Sequence, residues 1–570
     1  MLSNRPPTNG QLTNNHFGKS QLVAERDAEL RQSSPCFTNS RHTRSQPRMK
    51  EHESLGQSGN ESNGRQARIV SGLDRPLQTP RPPGEQFRAV RRQVVAVILA
   101  NIGVFSTGMT LAMPTATIHQ LKDTTEPVHL TVTEASWFAS VNALSAPLGG
   151  LLSGVLLDSI GRKRSLIVLN VLTIAAWILL ATPSQTDSQA FFWQLIVSRF
   201  MLGIGMGLAS APPGVYAAEI SVPRTRGSLI LGTSISVAGG ITILYGIGYC
   251  IRDDFRLIAL ICCGYQLVAL LCVLPLPESH CWLLAKKRVT EAKRSLNYFR
   301  GFNKSDEITH PLVLEEYQVL QKSLQQRDAE VKESFWRSLK QPEVHKPLLI
   351  LMSLFAFQQL TGIFVVIVYA VQISSEAGIQ IDPFMCALLI GLARLITTCP
   401  MGYILELWGR RKAGLISTVG MSACMFLLAG QSWSEFLQGV PYLPVVAIVG
   451  FIVLSTLGLY TLPFFMISEL FPQRVRGPAS GLTVAVGMFI SFVCLKTFPD
   501  LKEAIGMPNC FVFFGVMALL ALVFVYWALP ETRRRSLLEI EEQFRTGKSR
   551  KRQTQADVEM QEVFVRKSDN

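Results

Sequence analysis

Two short patterns set acids and arginines at fixed spacing, and each is written twice. The first, G-x-x-x-[DE]-x-x-G-R-[RK], is carried by Gly154, Asp158, Gly161, Arg162 and Lys163, and again 248 residues later by Gly402, Glu406, Gly409, Arg410 and Arg411. The second, E-x-x-x-x-R-x-R-G, is Glu219, Arg224, Arg226 and Gly227, then 250 residues later Glu469, Arg474, Arg476 and Gly477. A carboxylate at the end of one helix and an arginine at the start of the next can pair across neighbouring helices. One exposed pair contributes about 0 to 1 kcal/mol, but several joined between two halves of a molecule bias a two-state equilibrium by a few kcal/mol. The patterns therefore read as a reversible latch, with topology anchoring as the plainer alternative. Arg199 is expected to join the network. Arg394 stands alone midway along an apolar run, where a charge costs about 2.5 to 3.5 kcal/mol on insertion scales. It either faces a cavity and binds an anionic or hydroxyl-rich ligand, or is satisfied by backbone carbonyls. Enzyme chemistry finds no constellation: the 8 histidines are dispersed and no metal-ligand or nucleophile spacing is present.

The elements that must hold these charges are apolar. The chain has 570 residues, 48% hydrophobic and 17% charged, with a mean hydropathy of +0.25, more apolar than a soluble domain needs for its core. Apolar stretches of roughly 18 to 25 residues, enough to cross about 30 Å of hydrocarbon, recur about twelve times. The spans are expected near 93–116, 136–158, 165–183, 191–214, 227–250 and 256–276, then 347–372, 384–405, 413–430, 442–467, 478–498 and 510–529. The first would serve as a signal anchor. Motifs repeating at one interval, each at the end of the matching span, indicate a duplicated six-helix unit. The expected organisation is a disordered tail over 1–88, a first bundle over 89–276, a linker with short surface helices over 277–346, a second bundle over 347–529 and a tail over 530–570. The 11 cysteines are scattered and read as packing residues.

The net charge of +14 points to membrane topology rather than nucleic acid, because the basic residues cluster in short connections instead of along a soluble face. Arg88/Arg91/Arg92, Arg162/Lys163/Arg164, Arg224/Arg226, the central linker, Arg410/Arg411/Lys412, Arg474/Arg476 and Arg533/Arg534/Arg535 all fall on alternate connections. Short basic loops stay on the cytoplasmic side, so both termini are expected there. The opposite connections hold mainly acids, among them Asp123, Glu126, Glu134, Asp187, Glu376, Asp382 and Glu435.

These motifs resemble those of the sugar porters of the major facilitator superfamily, the group of the glucose facilitators and the insect trehalose facilitators. The resemblance runs over about 90–544. It includes Pro277-Glu278-Ser279-His280-Cys281-Trp282-Leu283, similar to the family's P-E-S-P-R-W-L, and Pro530-Glu531-Thr532-Arg533 with Ser536-Leu537, similar to P-E-T-K-G-R-S/T-L. It implies an all-α membrane protein of twelve transmembrane helices in two six-helix bundles, working by alternating access, with no cofactor, in the plasma membrane by default. The partners expected are a sugar and the lipid bilayer, with no nucleic acid; the oligomeric state stays open. In the seventh span Gln358-Gln359-Leu360-Thr361-Gly362-Ile363-Phe364, reaching Tyr369, resembles the family's Q-Q-L-S-G-I-N. Adjacent amides both donate and accept, as sugar hydroxyls do, and Gly362 allows the helix to part; gluing helices together is the alternative use of such amides. In the tenth span Gly458, Pro463, Phe464 and Glu469 resemble G-P-G-P-I-P-W with its downstream acid.

The departures fall at the implied binding site. Phe364 stands for an Asn, Phe464 for a Trp, Ser234 for a Gln, and Gly487 and Met488 for an Asn-Trp pair. Each change removes a directional hydrogen bond or a wide stacking surface, at about 0.5 to 1.5 kcal/mol per lost contact for a hexose. A roomier, more apolar site fits trehalose or a related sugar before a hexose. The first span carries Gly108-Met109-Thr110, where proton-driven relatives keep an Asp, and a facilitator follows from the missing carboxylate. Proton-coupled symport of another small solute, or a transporter-like sensor, are the rival expectations.

Overall fold

The computed structural model describes residues 83–122, 129–184, 187–302, 310–329, 338–440, 442–472, 475–533, 535 and 537–546. The sequence features at 1–82, Asp123, Glu126, Arg474, Arg534, Ser536 and 547–570 lie outside them.

Among the described residues ten helices are long and apolar enough to cross a membrane: Phe87–Leu121, Val132–Ile160, Arg162–Ala181, Ser188–Ile220, Thr225–Cys250 and Phe255–Val273, then Arg410–Trp433, Leu443–Leu470, Arg476–Ile505 and Met507–Ala528. The eighth crossing is a pair, Pro383–Thr398 and Met401–Trp408, bent by 56° at Cys399-Pro400, where proline removes a helix donor. The seventh is interrupted twice, as Pro342–Leu360, Ile363–Val368 and Ala370–Glu376. The twelve crossings form two bundles of six, the major facilitator fold. The first helix starts at Pro83, ahead of the expected first span.

Local sequence fixes where the crossings begin. On the face opposite the arginine motifs, the second, fourth, sixth and eighth crossings start at Thr131, Asp187, Asp254 and Asp382, whose side chains accept from backbone amides of the first turn. Thr131 and Glu134 close a capping box. Carboxylates there satisfy orphan N–H groups and suit the positive helix end, so several acids that mark a topology in the sequence are also caps.

Between the bundles, the short helices His280–Ala285, Val289–Phe299 and Pro311–Ala329 pack against the first half. Gln93 Nε2 donates to the Phe299 carbonyl at 2.9 Å, and Arg300 Nη1 to the Ile220 carbonyl at 2.9 Å while its other nitrogens hold Glu316. His280 is buried against Phe299, and burial, aided by Arg300 and opposed by Glu316, pushes its imidazole down to about 3. It is a neutral packing group at physiological pH. The helix Leu537–Thr546 closes on the second half through buried Ile540 and Phe544.

The break at Gly362 is dictated locally. Its φ is +81°, and a Cβ there would stand 2.8 Å from the Phe514 ring. An L side chain at this position meets both backbone strain and a collision with a core aromatic. Gly362→Ala is expected to lower the stability of the detergent-purified protein by about 1 to 3 kcal/mol, read as a fall in melting temperature by intrinsic fluorescence. An unchanged melting curve would show that the left-handed turn does not hold the seventh crossing in its broken form.

Candidate functional site

The twin motifs build the same clasp in each half. In the first, the Arg162 guanidinium donates to Glu219 through Nε at 3.0 Å and Nη2 at 2.6 Å, and through Nη1 to the Leu157 carbonyl at 3.0 Å. In the second, Arg410 meets Glu469 at 3.1 and 2.6 Å, and the Leu405 carbonyl at 3.3 Å. A third repeated element completes each clasp. The Glu278 carboxylate accepts from the backbone amides of Arg162, Lys163 and Ser279, and the Glu531 carboxylate from those of Arg410, Arg411 and Arg533. Ser279 and Thr532 then donate to Glu219 and Glu469. Each Pro-Glu-Ser/Thr segment thus caps the helix that begins with the motif arginine. Gly161 and Gly409, with φ of +103° and +83°, leave the room a Cβ would take from the Glu278 and Glu531 carboxylates. The sequence held this signal, since Pro-Glu-Ser and Pro-Glu-Thr are themselves a repeat following each bundle.

The clasps lie within the halves and not between them, which corrects the expected cross-half latch: Glu219 and Arg162 belong to one bundle, Glu469 and Arg410 to the other. Asp158 only approaches Arg162, at 4.0 Å, with its side chain 89% exposed. Glu406 and Arg226 are exposed, and Arg476 donates to the Phe471 carbonyl of its own turn at 3.1 Å. Arg199 is a second correction. About 20 residues from Glu219, some 30 Å along the helix, it is fully buried and donates to the carbonyls of Phe138 at 3.0 Å and Thr110 at 2.6 Å. It stitches the first, second and fourth crossings together at lipid depth and has no part in the motif network.

The described contacts between halves gather toward the other face. Thr115 donates to the Ile367 and Val368 carbonyls at 2.7 Å, and Tyr245 to Ile367 at 2.5 Å. Lys496 donates to Ser136 at 2.8 Å, with its ammonium over the Trp137 ring, and Arg252 pairs with Asp382. Above these contacts opens a cavity of about 710 Å³ lined by Thr115, His119, Lys122, Arg252, Tyr369 and Asp382, among others. Tyr369 donates to the Leu495 carbonyl at 3.1 Å. Gln358 and Gln359 do not line this cavity; they are buried one helical segment away along the seventh crossing.

There the expected site residues converge on one side chain the sequence reading passed over, Tyr460. It sits in the non-helical stretch between Leu443–Leu457 and Leu462–Leu470, where Gly458 ends one segment and Pro463 stands in the first turn of the next. Gln358 Nε2 donates to the Tyr460 carbonyl at 2.6 Å, and Gln359 Nε2 to Gln358 Oε1 at 3.1 Å. The Phe364 ring lies 5.8 Å from the Tyr460 ring, and the Arg394 Cζ stands 3.9 Å over it. Phe464, 43% exposed, packs edge-on to Phe355 at 5.2 Å, and Phe355 fills the space a side chain at Gly487 would need. Thr361 turns back to the Gln358 carbonyl, and Met488 is half-buried. Ser234 is exposed one turn below Ala238, on the stripe that leads to Tyr245. A tyrosine beside a helix break was a legible signal, but nothing in one sequence told it from a core aromatic.

Comparison with known proteins agrees with this architecture. The family model described as "Sugar (and other) transporter" matches residues 95–544. The facilitated trehalose transporter of Apis mellifera ligustica is 28% identical over 470 residues, covering 80% of this chain and 91% of that one. The human solute carrier family 2 facilitated glucose transporter member 6 is 30% identical over 504 residues, covering 83% and 96%. Among solved structures, the inward-open xylose transporter XylE of E. coli superimposes with a TM-score of 0.65 at 21% identity, over 78% of this chain and 98% of that one. With two bundles, twin clasps and a family match across both, the chain is a multi-pass membrane transporter, not an enzyme, and belongs to the sugar porter family of the major facilitator superfamily.

Proposed function

We propose that this chain is a facilitator of trehalose or a related sugar, with a hexose as second choice, acting by alternating access about the Tyr460 cluster. The observation that carries the facilitated mode is that no Asp or Glu is buried among the described residues. A proton carrier in the membrane needs a titratable group on the path. Arg199 donates to carbonyls of the first and second crossings rather than to a carboxylate. Trehalose is favoured by the insect relatives and by a site in which Phe364, Phe464 and the Phe355 ring seated on Gly487 present apolar surface. Gln358 and Gln359 supply the donors and acceptors for hydroxyls. The basic face lies in the cytoplasm with both termini, in the plasma membrane. Each clasp makes its half a rigid body. Asp158, Arg226 and Glu406, exposed on that face, are the groups available to meet across its mouth when it closes.

Purified protein in liposomes is expected to equilibrate labelled trehalose at a rate independent of a pH gradient; uptake that requires the gradient would overturn the facilitated mode. Gln358→Ala should raise the half-saturation concentration about five- to tenfold, the equivalent of losing one well-placed hydrogen bond, and an unchanged value removes this residue from the site. Glu469→Ala opens the clasp of the second half, so the ratio of entry to exit half-saturation should change about fivefold. Equal effects on both sides of the membrane would mean that the clasp does not bias access.

A further inference from the structure

Three guanidiniums are buried in the described residues, and they are not provided for alike. Arg199 has two carbonyl oxygens, for Nε and Nη1, and leaves only Nη2 without a partner, while Arg300 has a carboxylate and a carbonyl. Arg394, only 2% exposed, has the face of Tyr460 and no oxygen acceptor among the described residues; its Nε is sealed from solvent without a partner. The backbone-carbonyl alternative drawn from the sequence is therefore not what the structure holds. An aromatic face offsets part of the cost of burying a cation, but it offers no lone pair to the fork of N–H donors. Close by, Gln359 Oε1 is likewise buried with no donor.

Two facts about this cluster fit together. Phe364, Phe464 and Gly487 contribute no hydrogen-bonding side chain, which leaves the Gln358 and Gln359 amides as the principal neutral donors and acceptors. Arg394 adds an unmatched positive charge with planar, paired donors, the arrangement that takes a carboxylate bidentately. One cation balances one carboxylate, whereas a phosphate brings about −1.5 to −2 and would overshoot it. Tyr460 occupies the break between two helices, so its ring can swing from the guanidinium without unwinding either one.

We propose that Arg394 recognises a carboxylate on the cargo, so that this carrier takes sugar acids of the hexuronate class as well as neutral sugars. The hydroxyls of such a ligand meet the Gln358 and Gln359 amides while its carboxylate meets the guanidinium. The inference rests on the sugar-carrier reading above and extends its substrate class.

The test uses the full chain in liposomes carrying labelled glucose or trehalose, with D-glucuronate and D-glucuronamide as competitors. The two differ in a carboxylate against a neutral amide. Glucuronate is expected to inhibit at about tenfold lower concentration, with the ratio falling to about one in Arg394→Gln and lying between in Arg394→Lys. Equal inhibition in the unaltered protein overturns the proposal and needs no variant to fold. Absence of any neutral-sugar flux would instead sink the carrier reading. In that case the thermal stabilisation of purified protein by the two compounds still decides the proposal, which fails if glucuronate stabilises no more than glucuronamide.

Discussion

A charge inside a hydrocarbon layer has to be matched by partners brought with it, because no water is there to do so. This chain meets that demand separately within each half. Arg162 and Arg410 each gather a carboxylate and a helix-end carbonyl from their own bundle, while Glu278 and Glu531 satisfy the amides at the start of the same helix. Arg199 does the same deeper down with two carbonyls. With the clasp charges settled internally, the bundles can part at the clasp face without breaking either clasp, which is what a rocking carrier requires.

The interface between the bundles is built of weaker pieces. Hydroxyl contacts from Thr115 and Tyr245 reach carbonyls at the interrupted end of the seventh crossing, and the exposed Arg252–Asp382 pair is screened by solvent. None of these is costly to break alone. The seventh and tenth crossings are among those whose helices stop and restart, at Gly362 and around Tyr460. Broken helices expose backbone groups that must find side-chain or carbonyl partners, and Gln358 does this for the Tyr460 carbonyl. The same breaks that create a polar spot in the membrane place it where the two segments can change angle.

Substitutions relative to the family pattern are also packed together. Gly487 admits the Phe355 ring, which meets Phe464, while Phe364 and Arg394 share Tyr460. The replaced groups are thus not independent losses. They make one aromatic wall around a single cation, a different recognition chemistry from a ring of amides.

Much of this was legible in the chain. Apolar length fixes the number of crossings, because lipid thickness leaves no other choice. Repetition of Asp158/Arg162 with Glu406/Arg410 fixes the twofold plan, and Gly362 and Pro463 fix where helices part. What spacing could not say is which acid an arginine meets, since Glu219 and Glu406 were equally placed for Arg162 until the bundles closed around themselves. Nor could it tell that Arg199 reaches two carbonyl oxygens and Arg394 none among the described residues, both being lone cations in apolar runs. Partner choice depends on side chains brought together from distant crossings, and that is decided only when the helices pack.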